Sequence, residues 1–139
     1  MCGRFGLDTP RAVLTEHFGL DATPAVAPRY NIAPGQDAAL VLRHPESSAR
    51  VLRSLRWGLV PSWAEDARGG ARLINARAET AADKPAFRAA FVRRRCLVPA
   101  SGFYEWKRRD AGRQPHWICL RSRGPLALAG LWEHWLAPD

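Results

Sequence analysis

From residue 96 onward the chain offers only short extended runs separated by turn formers, and this restricts its architecture more than any other feature. Residues 96–99, 102–107, 116–121 and 126–132 each read as a strand, and Asp110-Ala111-Gly112 turns the middle pair. Residues 39–43 and 50–55 read as an earlier hairpin, with residues 44–48 as its turn. Helical signals occur in two places only. Thr9 followed by Pro10 reads as N-cap and first helical residue, Val13, Leu14 and Phe18 give one apolar face, and Gly19 stops the helix. Asp83 caps a second helix over residues 85–94, with Phe87, Ala90 and Phe91 facing inward. Residues 1–5 read as a short strand, residues 21–36, broken by Pro24, Pro28 and Pro34, as an ordered loop, and residues 73–76 as a short apolar element. The pattern predicts an α+β fold: a mostly antiparallel, curved β-sheet with two or three short helices, in one domain over residues 1–139.

Composition removes several function classes. An apolar fraction of 47% with six Trp belongs to a globular chain, not a disordered one. No apolar run reaches membrane-span length, and the N-terminus lacks the basic-then-apolar layout of a secretory signal. Cys2, Cys96 and Cys119 are odd in number and form no CxxC pair, which predicts free thiols in a reducing, cytoplasmic compartment. No metal or cofactor is expected. The net charge of +8 is carried almost wholly by arginine, since Lys84 and Lys107 are the only lysines. Guanidinium forks suit phosphate oxygens and stack on bases, so a polyanion partner fits; a GC-rich genome, which raises Arg and Ala together, is the plainer source of the bias. The run Arg93-Arg94-Arg95 reads as a solvated helix end.

Cys2 draws attention by its place. A small second residue normally permits removal of the initiator Met, which would leave a cysteine bearing a free α-amine. That amine has a pKa of about 7.7–8.0 against about 10.4 for lysine, so far more of it is free base at neutral pH. It can attack an aldehyde, and the thiol of the same residue can then close a five-membered thiazolidine on the resulting imine. Arg4 lies near enough in sequence to stabilise a thiolate. The plainer reading is a frayed terminus carrying an incidental cysteine.

Six segments set that cysteine in context: Met1-Cys2-Gly3-Arg4-Phe5, Arg29-Tyr30-Asn31-Ile32-Ala33-Pro34-Gly35, Trp57-Gly58-Leu59-Val60-Pro61-Ser62-Trp63, Ile74-Asn75-Ala76-Arg77-Ala78-Glu79-Thr80, Cys96-Leu97-Val98-Pro99-Ala100-Ser101-Gly102-Phe103-Tyr104-Glu105-Trp106 and Ala129-Gly130-Leu131-Trp132. In this order and spacing the chain closely resembles the SRAP family, the SOS response-associated peptidases or abasic-site processing proteins, from Cys2 to about Trp132. The resemblance implies loss of the initiator Met and a thiazolidine link between Cys2 and the ring-opened sugar of an abasic site in single-stranded DNA. It further implies that Asn75 polarises and positions the sugar, that Arg77 contacts phosphate and that Glu105 is the acid/base carboxylate. Arg4, Pro34, Trp57, Trp63 and Trp106 fall where the family lines its DNA cleft.

The residue types suit these roles, and each has a duller alternative. Imine formation expels water and needs a proton donor, which a carboxyl between Tyr104 and Trp106 can be; Glu105 could equally be an outward strand carboxylate. Asn75 could be a turn residue and Arg77 a surface partner of Glu79. Trp57, Trp63 and Trp106 offer stacking platforms for bases or core aromatics.

The family continues beyond this stretch into further strands and a helix, with a histidine in a His-x-Arg-Met-Pro-like motif that assists proton transfer. Nothing here matches it, and His17, His44, His116 and His134 stand in the wrong contexts. The expectation is a shortened chain, a short homologue or a fragment completed by a partner; a sheet lacking its last strands leaves an open edge that invites a homodimer. Two other activities use the same features: a thiol autopeptidase built on Cys2, Glu105 and Asn75, and a non-catalytic Arg/Trp-rich single-stranded DNA-binding module.

Overall fold

The computed structural model describes residues 2–22, 26–110 and 112–137. Apolar alternation organises its first hairpin. Strands β3 (Asp37–Arg43) and β4 (Arg50–Arg56) pair antiparallel along their whole length, from Asp37 opposite Arg56 to Arg43 opposite Arg50. Ala38, Leu40, Val41 and Leu52 are buried, and the turn closes through hydrogen bonds from the Ser48 N–H to the His44 carbonyl and from the His44 N–H to Ala49. Strand β5 (Arg95–Ala100) lies beside β3, and β8 (Leu126–Leu131) beside β5, giving one antiparallel sheet of order β4-β3-β5-β8. Gly130 faces Cys96 across β5 and β8, so close that a Cβ there would stand 2.8 Å from the Cys96 sulfur.

The second sheet has the order β2-β1-β6-β7. Strand β1 (Phe5–Leu7) is wholly buried between β2 (Arg29–Ile32) and β6 (Gly102–Arg109). Strand β7 (Gly112–Ile118) is the exposed outer partner of β6. The indole of Trp117 covers the backbone of Gly6 and Gly102, leaving no room for a side chain at Gly102. Both sheets, helix α1 (Arg11–Phe18) and the stretch after it contribute to one core, with Phe5, Leu7, Leu14, Phe18, Ile32, Leu40 and Leu52 among its members. The expected α+β architecture of antiparallel sheet and short helices is what the chain adopts, in the form of two four-stranded sheets.

Local expectations diverge at several points, each for a physical reason. The first strand begins at Phe5, not at residue 1, and Met1 lies outside the described residues. Thr9 does not cap α1, because its hydroxyl is shared with Ser101 at 2.9 Å; Pro10 takes the cap position. Gly19 does end the helix, in the left-handed conformation at φ 59°, and Val13 turns outward while Leu14 and Phe18 are buried. Residues 29–32, within the expected loop, are strand, since pairing with β1 overrides the flanking prolines. Residues 73–76 form no regular element. Helix α2 spans only Arg88–Arg93 with Phe87 at its N-cap; Asp83 is consumed in preceding turns, where its N–H bonds the Thr80 carbonyl. Strand β7 starts earlier and stops sooner than residues 116–121, and accommodates Pro115 because it is an edge strand. In the turn expected before it, Ala111 lies outside the described residues. The arginine run is not uniformly solvated. Arg94 is half-buried and paired at 2.6 Å with Glu133, whose side chain is almost fully enclosed.

Candidate active site

Three segments far apart in sequence meet at the start of β1. Cys2 sits just ahead of the strand, half-buried against the core, with its thiol 3.5 Å from the Arg4 carbonyl that accepts its proton. The last rung before the chain leaves the sheet is the bond from the Tyr104 N–H to the Arg4 carbonyl, 2.9 Å. The next residue of β6 is Glu105, half-buried and near enough to Cys2 for its charge to act on the thiol. The third segment follows a 3-10 helix over Ala67–Arg72. Its Asn75 amide donates to the Cys2 carbonyl at 2.7 Å.

Each segment is held from behind. The Leu59 N–H bonds the Leu73 carbonyl at 3.1 Å, and the Trp57 indole N–H bonds the Ile74 carbonyl at 2.8 Å. The Trp57 ring meets Phe5 edge-on, with centroids 5.3 Å apart. Its backbone grips the turn that carries Pro34: Gly35 donates to the Trp57 carbonyl at 2.7 Å, and Trp57 donates to Gln36 at 2.8 Å. Gly35 is there at φ 82°, a conformation that suits glycine.

Burial pushes the Cys2 thiol above its ordinary value; contact with the Arg4 main chain opposes this in part, and the Glu105 carboxylate adds to the rise. Arg4 thus favours the thiolate, as expected, but through its main chain and too weakly to offset burial. The Arg4 guanidinium instead donates to Asn31 Oδ1 at 2.9 Å, tying the start of β1 to β2. The thiol is therefore held protonated more firmly than a free cysteine.

Of the remaining cleft candidates, Trp63 is 68% exposed and Trp106 41% exposed. The loop behind Trp63 is secured by the Trp135 indole, which donates to the Ala64 carbonyl at 2.7 Å. Trp106 shares a face of β6 with Tyr104, their centroids 6.3 Å apart, while Glu105 points to the other face. Arg77 is exposed two residues past Asn75, and its carbonyl accepts the Thr80 and Ala81 N–H groups. Sequence reading gave no part to Asn31, Trp135 or His116. Asn31 lay within a quoted motif, but its bond to Arg4 depends on β1–β2 pairing. His116 stands directly across from Glu105 in the β6–β7 ladder, so the two side chains share a face. Among the described residues, no group of three or more His, Cys, Asp or Glu could hold a metal ion, and no helix is long and apolar enough to cross a membrane.

The chain that carries this cysteine, amide and carboxylate has known relatives. The family model for SRAP, SOS response associated peptidase, matches residues 1–139. The chain belongs to this family. The SRAP chain is 43% identical over 143 residues to the abasic site processing protein YoqW of Bacillus subtilis, covering 100% of its own length and 63% of the relative. It is 31% identical over 139 residues to the abasic site processing protein HMCES of Xenopus tropicalis, covering 81% and 42%. The SRAP chain thus spans about three fifths of the bacterial relative it matches. A crystal structure of a protein from Bacteroides thetaiotaomicron shares the fold with a TM-score of 0.83 at 21% identity, over 98% of this chain and 62% of that one. A phage-related protein from Bordetella bronchiseptica superposes with a TM-score of 0.75 at 33% identity, over 94% and 60%.

Proposed function

We propose that this SRAP chain captures abasic sites in single-stranded DNA by forming a covalent thiazolidine through Cys2. The observation that carries the reading is the meeting of Cys2 with Asn75, which bonds its carbonyl, and with Glu105, whose charge acts on its thiol. The chemistry follows from these groups. Once Met1 is removed, the α-amine of Cys2 adds to the aldehyde carbon of the ring-opened sugar and gives a carbinolamine. The Glu105 carboxylate takes up the proton that the nitrogen sheds and delivers it to the departing hydroxyl, water leaves, and a C=N bond forms. The Cys2 sulfur then adds to that carbon, and the thiol proton passes to the nitrogen, directly or through the Glu105 carboxylate. One aldehyde and one aminothiol become one ring and one water.

The amine adds first, because only nitrogen can form the C=N bond, and the sulfur acts second with the benefit of proximity. The strand itself would be held by the exposed Trp63 and Trp106 rings and by Arg77, within a chain of net charge +8. The test is a denaturing gel of the protein with a labelled single strand carrying one abasic site. A heat-stable, retarded band that disappears in Cys2→Ala supports the reading; a band of equal intensity from Cys2→Ala refutes it.

A further inference from the structure

Trp57 occupies a different situation from Trp63 and Trp106, although all three fall where bases would stack. Its ring is half-buried against the core, its edge contact is to Phe5, and its indole N–H is committed to the Ile74 carbonyl. The residue after Ile74 is Asn75, whose amide holds the Cys2 carbonyl. Beyond the Tyr104–Arg4 rung the main chain has left the β1–β6 ladder, and between that rung and Cys2 stands Gly3, around which there is open space. Glycine there lets Cys2 swing. Its thiol contacts the Arg4 carbonyl, its own carbonyl is held by the Asn75 amide, and the backbone next to Asn75 is tied down by the Leu59–Leu73 bond and, immediately before Asn75, by the Trp57 indole on the Ile74 carbonyl.

We infer that Trp57 is a positioning residue for the Cys2 reaction: its indole N–H sets the 74–75 backbone so that the Asn75 amide orients Cys2. This rests on the function proposed above. The indole bridges the pieces the reaction requires, because the same residue also grips the Pro34 turn through its backbone and meets Phe5 three residues past Cys2. Loss of the N–H leaves the Ile74 carbonyl without its partner, and the loop relaxes toward other donors.

Two replacements isolate that N–H. Trp57→Phe keeps an aromatic ring on Phe5, and β-(3-benzothienyl)alanine at position 57 keeps the full bicyclic shape with sulfur in place of N–H. Three quantities are read: the crosslinking rate constant at saturating abasic strand, the Kd for a strand with a tetrahydrofuran site that lacks the aldehyde, and hydrogen exchange of the Asn75 side-chain amide by NMR. The account expects the rate to fall about three- to tenfold, the worth of one ordinary hydrogen bond, and Kd to stay within about twofold. It expects faster exchange at the Asn75 amide in both variants. Trp57→Phe combined with Asn75→Ala should be no slower than Asn75→Ala alone, since the two act in series. A weakened Kd with an unchanged rate would make Trp57 a stacking platform, and additive effects in the double variant would make it independent packing; either overturns the inference. Should Trp57→Phe fail to fold, the benzothienyl isostere decides. If the unaltered protein forms no crosslink, the proposed function falls; the Asn75 exchange rate still reads the Trp57 link, and unchanged exchange in the isostere sinks that too.

Discussion

The two sheets of this molecule share a core and divide its labour. In the β4-β3-β5-β8 sheet the interior residues are Leu40, Val41, Leu52 and Cys96, and burial there serves packing alone. In the β2-β1-β6-β7 sheet Cys2 lies just ahead of the buried strand β1, and β6 carries a half-buried carboxylate one residue past the last rung. Two cysteines make the contrast plain. Cys96 and Cys2 are both raised by burial, but Cys96 by burial alone, up to about 12, whereas Cys2 also feels Glu105. One is a small apolar filler, the other a thiol that feels an ionisable side chain.

If this division is right, substitutions in the two sheets fail in different ways. Glu105→Gln should leave the melting temperature nearly unchanged and slow crosslinking about a hundredfold or more, the ordinary weight of a general acid. The same variant removes the negative charge that raises the Cys2 thiol, so that thiol should titrate lower and iodoacetamide should alkylate Cys2 faster at neutral pH. Opposite movements of the two rates would sharpen the contrast; parallel movements would break it. Leu52→Ala in the other sheet should cost about 2–5 kcal/mol in denaturant unfolding and leave the crosslinking rate of the folded fraction intact.

Gly130→Ala tests the close approach of β8 to β5. The new methyl would meet the Cys96 sulfur, and overpacking of this kind costs about 1–3 kcal/mol. Combining it with Cys96→Ala should recover part of that loss. The last effect concerns alkaline pH. The Cys96 thiol holds its proton in the fold up to about 12, against an ordinary value of 9.0. Between those values the unfolded chain binds fewer protons than the folded one, so stability falls as pH rises through that window. The slope from this one group is at most about 1.4 kcal/mol per pH unit, and Cys96→Ala should flatten it in unfolding measured from pH 9 upward.

How much of this was legible beforehand follows the same line between the sheets. The β3–β4 hairpin could be read because its alternation and its turn are local, and Gly19 could be read as a helix stop because glycine suits the left-handed conformation. Strand β2 could not, because prolines flank it and only its long-range partner β1 makes it a strand. Thr9 looked like a cap, but its hydroxyl serves Ser101, ninety-two residues away. Cys2, Asn75 and Glu105 were legible as residue types in a recognisable order. The direction of the thiol's shift was not, because neither the burial of Cys2 nor the diversion of Arg4 to Asn31 has any mark in the local sequence. Trp57 and Trp63 belong to one seven-residue motif, yet one is anchored inward and the other is open to solvent.

The central claim is that amine and thiol of one residue, Cys2, end in a single ring with the sugar. Intact mass of the purified protein, before and after incubation with an abasic single strand, tests it most directly. The account predicts a chain without Met1 that gains the mass of the oligonucleotide less one water, stays linked without a reducing agent, and afterwards resists both amine and thiol reagents at Cys2. A linked species whose Cys2 thiol still reacts with iodoacetamide, or an adduct of the same mass from Cys2→Ala, would contradict it.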